Sequence, residues 1–383
     1  MPHGKIAGAE RVLCELLAET EPGTAVVCLP EGSPLAERVV ALGHRVRDFR
    51  LPKLSGPASA VSFPWRYLRA CRDLRAVVRE EDVTVLHSFV AFTIKAVAPV
   101  ALLTRTPAIL SVHEITTRAA IGGLRSRLQR WLAVAAFRRI TAVSRYVADS
   151  LIAEGYPAQR IVVVHNGIAR SSAPAERAEA RISLGLPVDA LIVLVVGRLT
   201  RWKGQDVAIR AFERFSAGWG GADPTLAVVG GPFEPDDAAF ETEIHRSVAA
   251  GPVVDRVLFF GQRQDTDAFY DAADVVLVPS LEPDPFPTVV LEAGLAGRCV
   301  VASDLGGASE AVVEGVTGLI CPPTTEAFAG ALTRAADQEW RTHVESKAQS
   351  HIEVEFSRSG FANAIHEQWT LTEAAGIRTR TPR

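Results

Sequence analysis

Short runs of Val, Ile and Leu recur along the chain, each followed by a longer stretch whose apolar positions return every three or four residues. In the first half the runs predict strands at 25–29, 45–49, 83–87, 109–113, 140–143 and 161–164. The longer stretches predict helices at 9–19, 34–42, 65–80, 124–137 and 146–154. Continuous apolar runs mark strands covered on both faces, and their alternation with helices predicts parallel sheets. The pattern then repeats, with strands at 191–196, 226–229, 257–260, 275–278 and 300–302. Helices fit 205–215, 239–249, 267–273, 288–296 and 309–314. Between the halves, 169–187 is rich in Ala, Ser and Pro and reads as a linker plus a short helix. The expected fold class is therefore α/β, with two doubly wound, Rossmann-like domains at 1–170 and 171–350 and a cleft between them. Residues 351–383 are expected to form a helix returning toward the first domain and a frayed basic tail. In such sheets ligands sit beyond the carboxyl ends of the strands, so the chemistry is sought there.

Composition narrows the class. A chain of 383 residues with 48% apolar and 22% charged residues can bury two ordinary cores. The five cysteines are odd in number and include no C-x-x-C, which argues against a disulfide framework or a zinc site and suits a reducing compartment. The first residues, Met-Pro-His-Gly, show no signal peptide, and the longest apolar stretches, 90–103 and 190–196, are too short to span a bilayer. The expected location is cytoplasmic, at most peripheral at the inner face of the membrane. A net charge of −3 conceals a split: residues 1–170 hold 23 Lys/Arg against 14 Asp/Glu, whereas the rest hold 18 against 30. The basic half suits an anionic membrane surface or a phosphate-bearing acceptor, with solvated helix faces as the other reading. No nucleic-acid partner is expected.

Two constellations carry chemistry. The first runs Gly197-Arg198-Leu199-Thr200-Arg201-Trp202-Lys203-Gly204, after a strand and before a helix. Gly197 permits a tight turn, and Arg198 and Lys203 can clamp a diphosphate, the one with a fork of donors and the other with a compact charge. The second runs from Ser280 through Asp284, Phe286 and Thr288 to Glu292. Pro279, Pro283, Pro285 and Pro287 stiffen this loop, and a helix starting near Thr288 offers free N–H groups to an anion. Asp284 and Glu292 flank that anion site, where carboxylates would bind sugar or ribose hydroxyls; a capping Asp284 and a solvated Glu292 are the alternative.

These motifs, with Gly8-Ala-Glu-Arg11, Val143-Ser144 and Asn166-Gly167, resemble family four of the nucleotide-sugar glycosyltransferases, in order over roughly residues 3–322. The resemblance implies a GT-B fold, a retaining hexosyltransferase without a metal, and a UDP- or GDP-linked sugar as co-substrate rather than a cofactor. Carried over, Arg198 and Lys203 would neutralise the donor diphosphate, Asp284 would contact the transferred sugar and Glu292 the ribose. Thr288 and its neighbouring amides would hold phosphate oxygens, with Phe286 and Gly197 lining the donor. His113, at a strand's carboxyl end, resembles the histidine facing the donor sugar, Gly8 the glycine of the acceptor-side loop, and Arg263 a residue stacking on the base. The family usually has Glu where this chain has Asp284, and often Gly where it has Pro287, which removes an N–H donor.

The acceptor implied is a glycan or a lipid-linked glycan of the cell envelope. The basic amphipathic stretches 65–79 and 118–139 suggest peripheral contact with anionic lipid. Asp265-Thr-Asp267 looks like a metal-binding D-x-D, but capping of the helix behind it is the preferred reading. The family also begins with a strand before the glycine loop, and no apolar run precedes Gly8; a start upstream of Met1 or a damaged first domain would explain it. Two rivals are a sugar-nucleotide-binding protein that does not catalyse and a GT-B epimerase, which needs no acceptor.

Overall fold

A computed structural model of the chain describes residues 8–52, 57–115 and 123–377. It divides into two compact units, 1–167 with 358–383, and 168–357. The boundaries expected from sequence, 170 and 350, thus shift to 167 and 357.

The first unit runs α1 (Gly8–Ala18), β1 (Val26–Leu29), α2 (Leu35–Ala41), β2 (Arg45–Asp48), α3 (Pro57–Glu80), β3 (Leu86–Ser88), α4 (Ile94–Thr104), β4 (Ala108–Val112), α5 (Gly123–Ala136), β5 (Phe137–Ala142), α6 (Arg145–Ala153) and β6 (Ile161–Val163). Its strands are all parallel and form two sheets, β1-β2 and β3-β4-β5-β6. The expected lack of a first strand concerns residues 1–7, which lie outside the described residues. Helix α4 was not foreseen, because the apolar run from Val90 was weighed only as a membrane span. It contains Pro99, which cannot donate to the carbonyl of Lys95. The Tyr67 hydroxyl donates to that carbonyl instead, at 2.5 Å, so the helix continues without an orphaned acceptor.

The second unit runs α7 (Arg177–Leu184), β7 (Ile192–Val196), α8 (Gln205–Ala217), β8 (Thr225–Val229), α9 (Pro235–Ala249), β9 (Val257–Phe259), α10 (Thr266–Ala272), β10 (Val275–Val278), α11 (Thr288–Leu295), β11 (Cys299–Ser303), α12 (Ala308–Ala311), β12 (Gly318–Cys321), α13 (Thr325–Ala335) and α14 (Gln338–Glu355). One six-stranded parallel sheet, ordered β12-β11-β10-β7-β8-β9, reverses direction of winding beside β7. Phe212, Phe215, Phe240 and Phe328 pack against Val193, Leu226 and Leu277 in its core. Helix α15 (Arg358–Ile377) belongs to the first unit, where Phe361 and Ile365 pack on Val12 and Leu16 of α1.

Beneath the second sheet lies a buried ion pair. Asp274 accepts from Arg181 at 2.6 Å, Arg177 at 2.9 Å and the Ile192 amide at 2.7 Å. It fastens α7 to the starts of β7 and β10. Removing one partner strands the other charge in a low-dielectric site, which costs roughly 3–5 kcal/mol. Asp274→Ala is therefore expected to destabilise the second unit by about that much. Urea unfolding followed by tryptophan fluorescence measures it, and an unchanged midpoint would refute the assignment.

Candidate functional site

Strand β7 pairs with β8 on one side and β10 on the other, and β10 pairs with β11. The loops leaving these strands therefore emerge side by side at one edge. Glycine lets them touch. A Cβ on Gly204 would stand 2.0 Å from the Pro279 carbonyl oxygen, and one on Gly230 would stand 1.8 Å from that of Gly197. Gly306 abuts Asp284 in the same way, at 2.1 Å from its carbonyl oxygen, and the Gly307 amide donates to that oxygen at 2.8 Å. Gly204, Gly230 and Gly306 also hold positive φ, so two independent requirements exclude a side chain there.

This backbone packing brings Lys203 to Asp284. The ammonium donates to the carboxylate at 2.5 Å, and Lys203 also lies over the Trp202 ring, 4.3 Å from its centroid. Arg198 is exposed, with its guanidinium over Phe233 at 5.4 Å. Its carbonyl accepts from Gln205 at 2.7 Å, so this buried side chain at the start of α8 fixes the turn that carries Arg198. Near Arg198 stands Asp237, in the capping box of α9. Burial would raise its pKa, but the Glu234 and Phe233 amides, the Thr200 hydroxyl and the charge of Arg198 together hold it below the usual range.

Helix α11 starts at Thr288 with Pro287 as its cap residue and no side-chain cap, so Asp284 is not the capping group. Glu292, one turn in, is buried rather than solvated, and it accepts from the Tyr270 hydroxyl at 2.7 Å. Phe286, expected to line the donor, is 4% exposed and its ring packs on Phe356.

The structure therefore gathers Gly197, Arg198, Lys203, Asp284, Thr288 and Glu292 on neighbouring loops and the first turns of α11 at one sheet edge. Arg263 is exposed, pairs with Asp265 at 2.5 Å and lies 5.4 Å from the Phe269 ring. The capping explanation of Asp265-Thr-Asp267 is overturned in detail. Asp265 makes no capping bond, and Asp267 accepts from the Ser171 and Ser172 amides at 2.8 and 2.9 Å, tying down the linker. Gln205 and Gly306 were missed; no local motif marks either role.

On the first unit, Gly8 is the exposed first residue of α1 rather than part of a loop before it. His113 follows β4 directly. Its two ring nitrogens are buried without hydrogen-bond partners, and the ring packs against Phe89 at 4.6 Å. Burial lowers its pKa to about 4, so the imidazole is neutral at physiological pH.

Two parallel α/β units, one with basic loops and an uncapped helix start at its strand edge, define a Rossmann-like class. The model for Glycosyltransferase Family 4 matches residues 6–171, and that for Glycosyl transferases group 1 matches 176–351. A D-inositol 3-phosphate glycosyltransferase of Kribbella flavida is 30% identical over 358 residues, 85% of this chain and 80% of that protein. Another, of Acidothermus cellulolyticus, is 37% identical over 204 residues, but that match spans only 51% of this chain and 45% of the relative. HepE of Anabaena, solved with UDP and glucose, superposes with a TM-score of 0.82 at 23% identity, covering 96% of this chain and 97% of the other. The fold is GT-B, and the chain belongs to the family-four, group-1 glycosyltransferases.

A Cβ on Gly306 cannot be accommodated without moving Asp284, and strain of that kind costs about 1–3 kcal/mol. Gly306→Ala is expected to lower the melting temperature and to abolish the thermal shift given by a nucleotide sugar. Unchanged melting and an unchanged shift would show that this contact does not set the site.

Proposed function

We propose that this chain is a retaining hexosyltransferase. It would move a sugar from a UDP- or GDP-linked donor to a glycan or lipid-linked acceptor, in cell-envelope polysaccharide synthesis. The observation that carries the reading is the convergence of Lys203, Asp284 and the uncapped start of α11 beside the Arg198 turn. The relatives named for transfer to D-inositol 3-phosphate support a phosphorylated acceptor, and the UDP complex of HepE supports a uridine donor.

In this mechanism Arg198 and Lys203 meet the diphosphate, and the Thr288 end of α11 adds N–H donors. Lys203 leaves Asp284 for the phosphate, so the carboxylate is free to accept from a sugar hydroxyl. Glu292, oriented by Tyr270, accepts from the ribose. The bond between the anomeric carbon and the β-phosphate oxygen breaks, and the acceptor oxygen bonds that carbon on the same face. The acceptor's proton passes to the departing phosphate, so no metal and no carboxylate nucleophile are needed. His113, neutral, has an N–H to offer the transferred sugar. Fixed cations aimed at the developing phosphate charge stabilise the transition state more than the ground state.

Loss of one such donor costs on the order of 100–1000-fold. Lys203→Ala is expected to lose transfer by at least that factor while melting like the parent, read as acceptor-dependent release of nucleotide. Near-parental turnover would remove the assignment.

We also propose a cytoplasmic location with peripheral contact at the inner membrane face. Among the described residues no helix is long and apolar enough to cross a membrane. Helix α3 exposes Trp65 and Leu68 among Arg66, Arg69 and Arg72, and α5 exposes Leu128 and Trp131 beside Arg127. The side chains of Arg118, Leu124 and Arg125, named in the same expectation, lie outside the described residues. Aromatic and aliphatic groups among arginines suit an anionic interface. Flotation with anionic vesicles is expected to exceed that with neutral ones, and Trp65→Ala with Trp131→Ala to weaken it. Equal flotation would sink the proposal.

A further inference from the structure

A hydrogen-bonded chain crosses the first unit beneath His113. The Trp369 indole of α15 donates to Nδ1 of His87 at 3.1 Å. An indole N–H only donates, so Nδ1 of His87 is the unprotonated acceptor. The proton of the neutral ring then sits on Nε2, which lies 2.7 Å from the Ser111 hydroxyl and donates to it. Ser111 in turn is hydrogen-bonded to the Thr141 hydroxyl at 2.6 Å. The chain thus links β3, β4 and β5.

A second chain, made of rings, leads to His113. The Phe89 ring stands edge-on to His87 at 5.3 Å and tilted against His113 at 4.6 Å. His113 has no hydrogen bond of its own to fix its ring. Its orientation depends on packing, and Phe89 is the ring that packs on it. Phe89 leans on His87, and His87 is held by Trp369 and Ser111. Ser111 is also on β4, two residues before His113, which directly follows that strand.

We infer that Trp369 and His87 are positioning residues for His113, and that α15 sets the angle of its imidazole through the Phe89 ring. This rests on the reading of His113 as the residue that meets the transferred sugar. The arrangement leaves both His113 nitrogens unclaimed by protein, which a group with one N–H to give and one lone pair to accept requires.

Trp369→Phe keeps an aromatic ring and removes the donor. Two readouts test it in the full-length protein. One is the set of 15N-histidine ring signals, assigned with His87→Gln and His113→Ala. The other is nucleotide release from UDP-glucose. In the parent, His87 is expected as the Nε2-protonated tautomer. Trp369→Phe is expected to shift the His113 ring signals and to lower kcat about tenfold with KM unchanged, as misorientation does. In the His113→Ala background it should cost nothing further. Ser111→Ala, which removes the other anchor of His87, is expected to shift the same His113 signals and serves if the Trp369 variant does not fold. Unshifted His113 signals, or a loss repeated in full without His113, would overturn the inference while leaving His113→Ala impaired. A His113→Ala protein as active as the parent would instead overturn the reading of His113, and this inference with it.

Discussion

Backbone must touch backbone for the second unit's site to exist. A parallel sheet spaces its strands evenly, so the loops leaving β7, β8, β10 and β11 are neighbours by construction. Neighbouring loops with side chains between them would stand several ångströms apart. Glycine at 204, 230 and 306 removes that spacer at three junctions, each of which would place a Cβ within about 2 Å of a carbonyl carbon or oxygen. Each of these glycines also has a positive φ, so the geometry is doubly restricted. The result is that Lys203 and Asp284, 81 residues apart in sequence, form an ion pair at 2.5 Å. The site's chemistry is carried by charged side chains, but its shape is set by residues that have none.

This division explains what the sequence disclosed. Strand β10 was read to its boundaries, because a fully buried parallel strand is an unbroken apolar run and Val275–Val278 is one. The basic loop and the Asp284 to Glu292 stretch were legible because charge placed after such a run is conspicuous. Roles set by distant partners were not. Asp267 looked like a helix cap because its neighbours are local, yet its partners Ser171 and Ser172 lie about ninety-five residues earlier. Phe286 sits inside the binding motif, and its packing on Phe356, distant in sequence, is likewise announced by no local pattern. Strand β12 and helices α13 and α14 fell beyond the last motif and were not assigned. Gln205 acts through one hydrogen bond to a main-chain carbonyl, which no residue pattern announces.

The two units solve opposite electrostatic problems. The second collects Arg198, Lys203, Asp284 and Glu292 at one edge, with Lys203 paired to Asp284, Glu292 accepting from Tyr270 and Arg198 over the Phe233 ring. The first surrounds His87 and His113 with aromatic rings and hydroxyls. Burial lowers His87 to about 3, with the nearby His113 adding to the effect, and lowers His113 to about 4. Both rings are neutral at physiological pH, so each keeps one donor and one acceptor. His87 spends both on Trp369 and Ser111. His113 spends neither within the protein. For the sugar contact proposed for His113, a neutral ring that both gives and accepts suits hydroxyls better than an imidazolium, which can only give.

The Lys203–Asp284 pair is best understood as a placeholder. A partly shielded pair of this kind contributes little net stability, because the desolvation of both ions offsets most of their attraction. Its value lies in where it holds the carboxylate. Asp284 is one methylene shorter than the glutamate usual at this place, so its carboxylate follows its own backbone closely and has fewer rotamers to lose. That backbone is in turn fixed against Gly306 and Gly307. In the mechanism proposed above, where an anion draws the lysine away, the carboxylate need not be reordered to find a hydroxyl, since the main chain already sets its position. A longer side chain could reach the same point only by giving up more rotational freedom on each binding event. The shorter acid therefore trades reach for preorganisation, and the glycine pair behind it is what makes that trade workable.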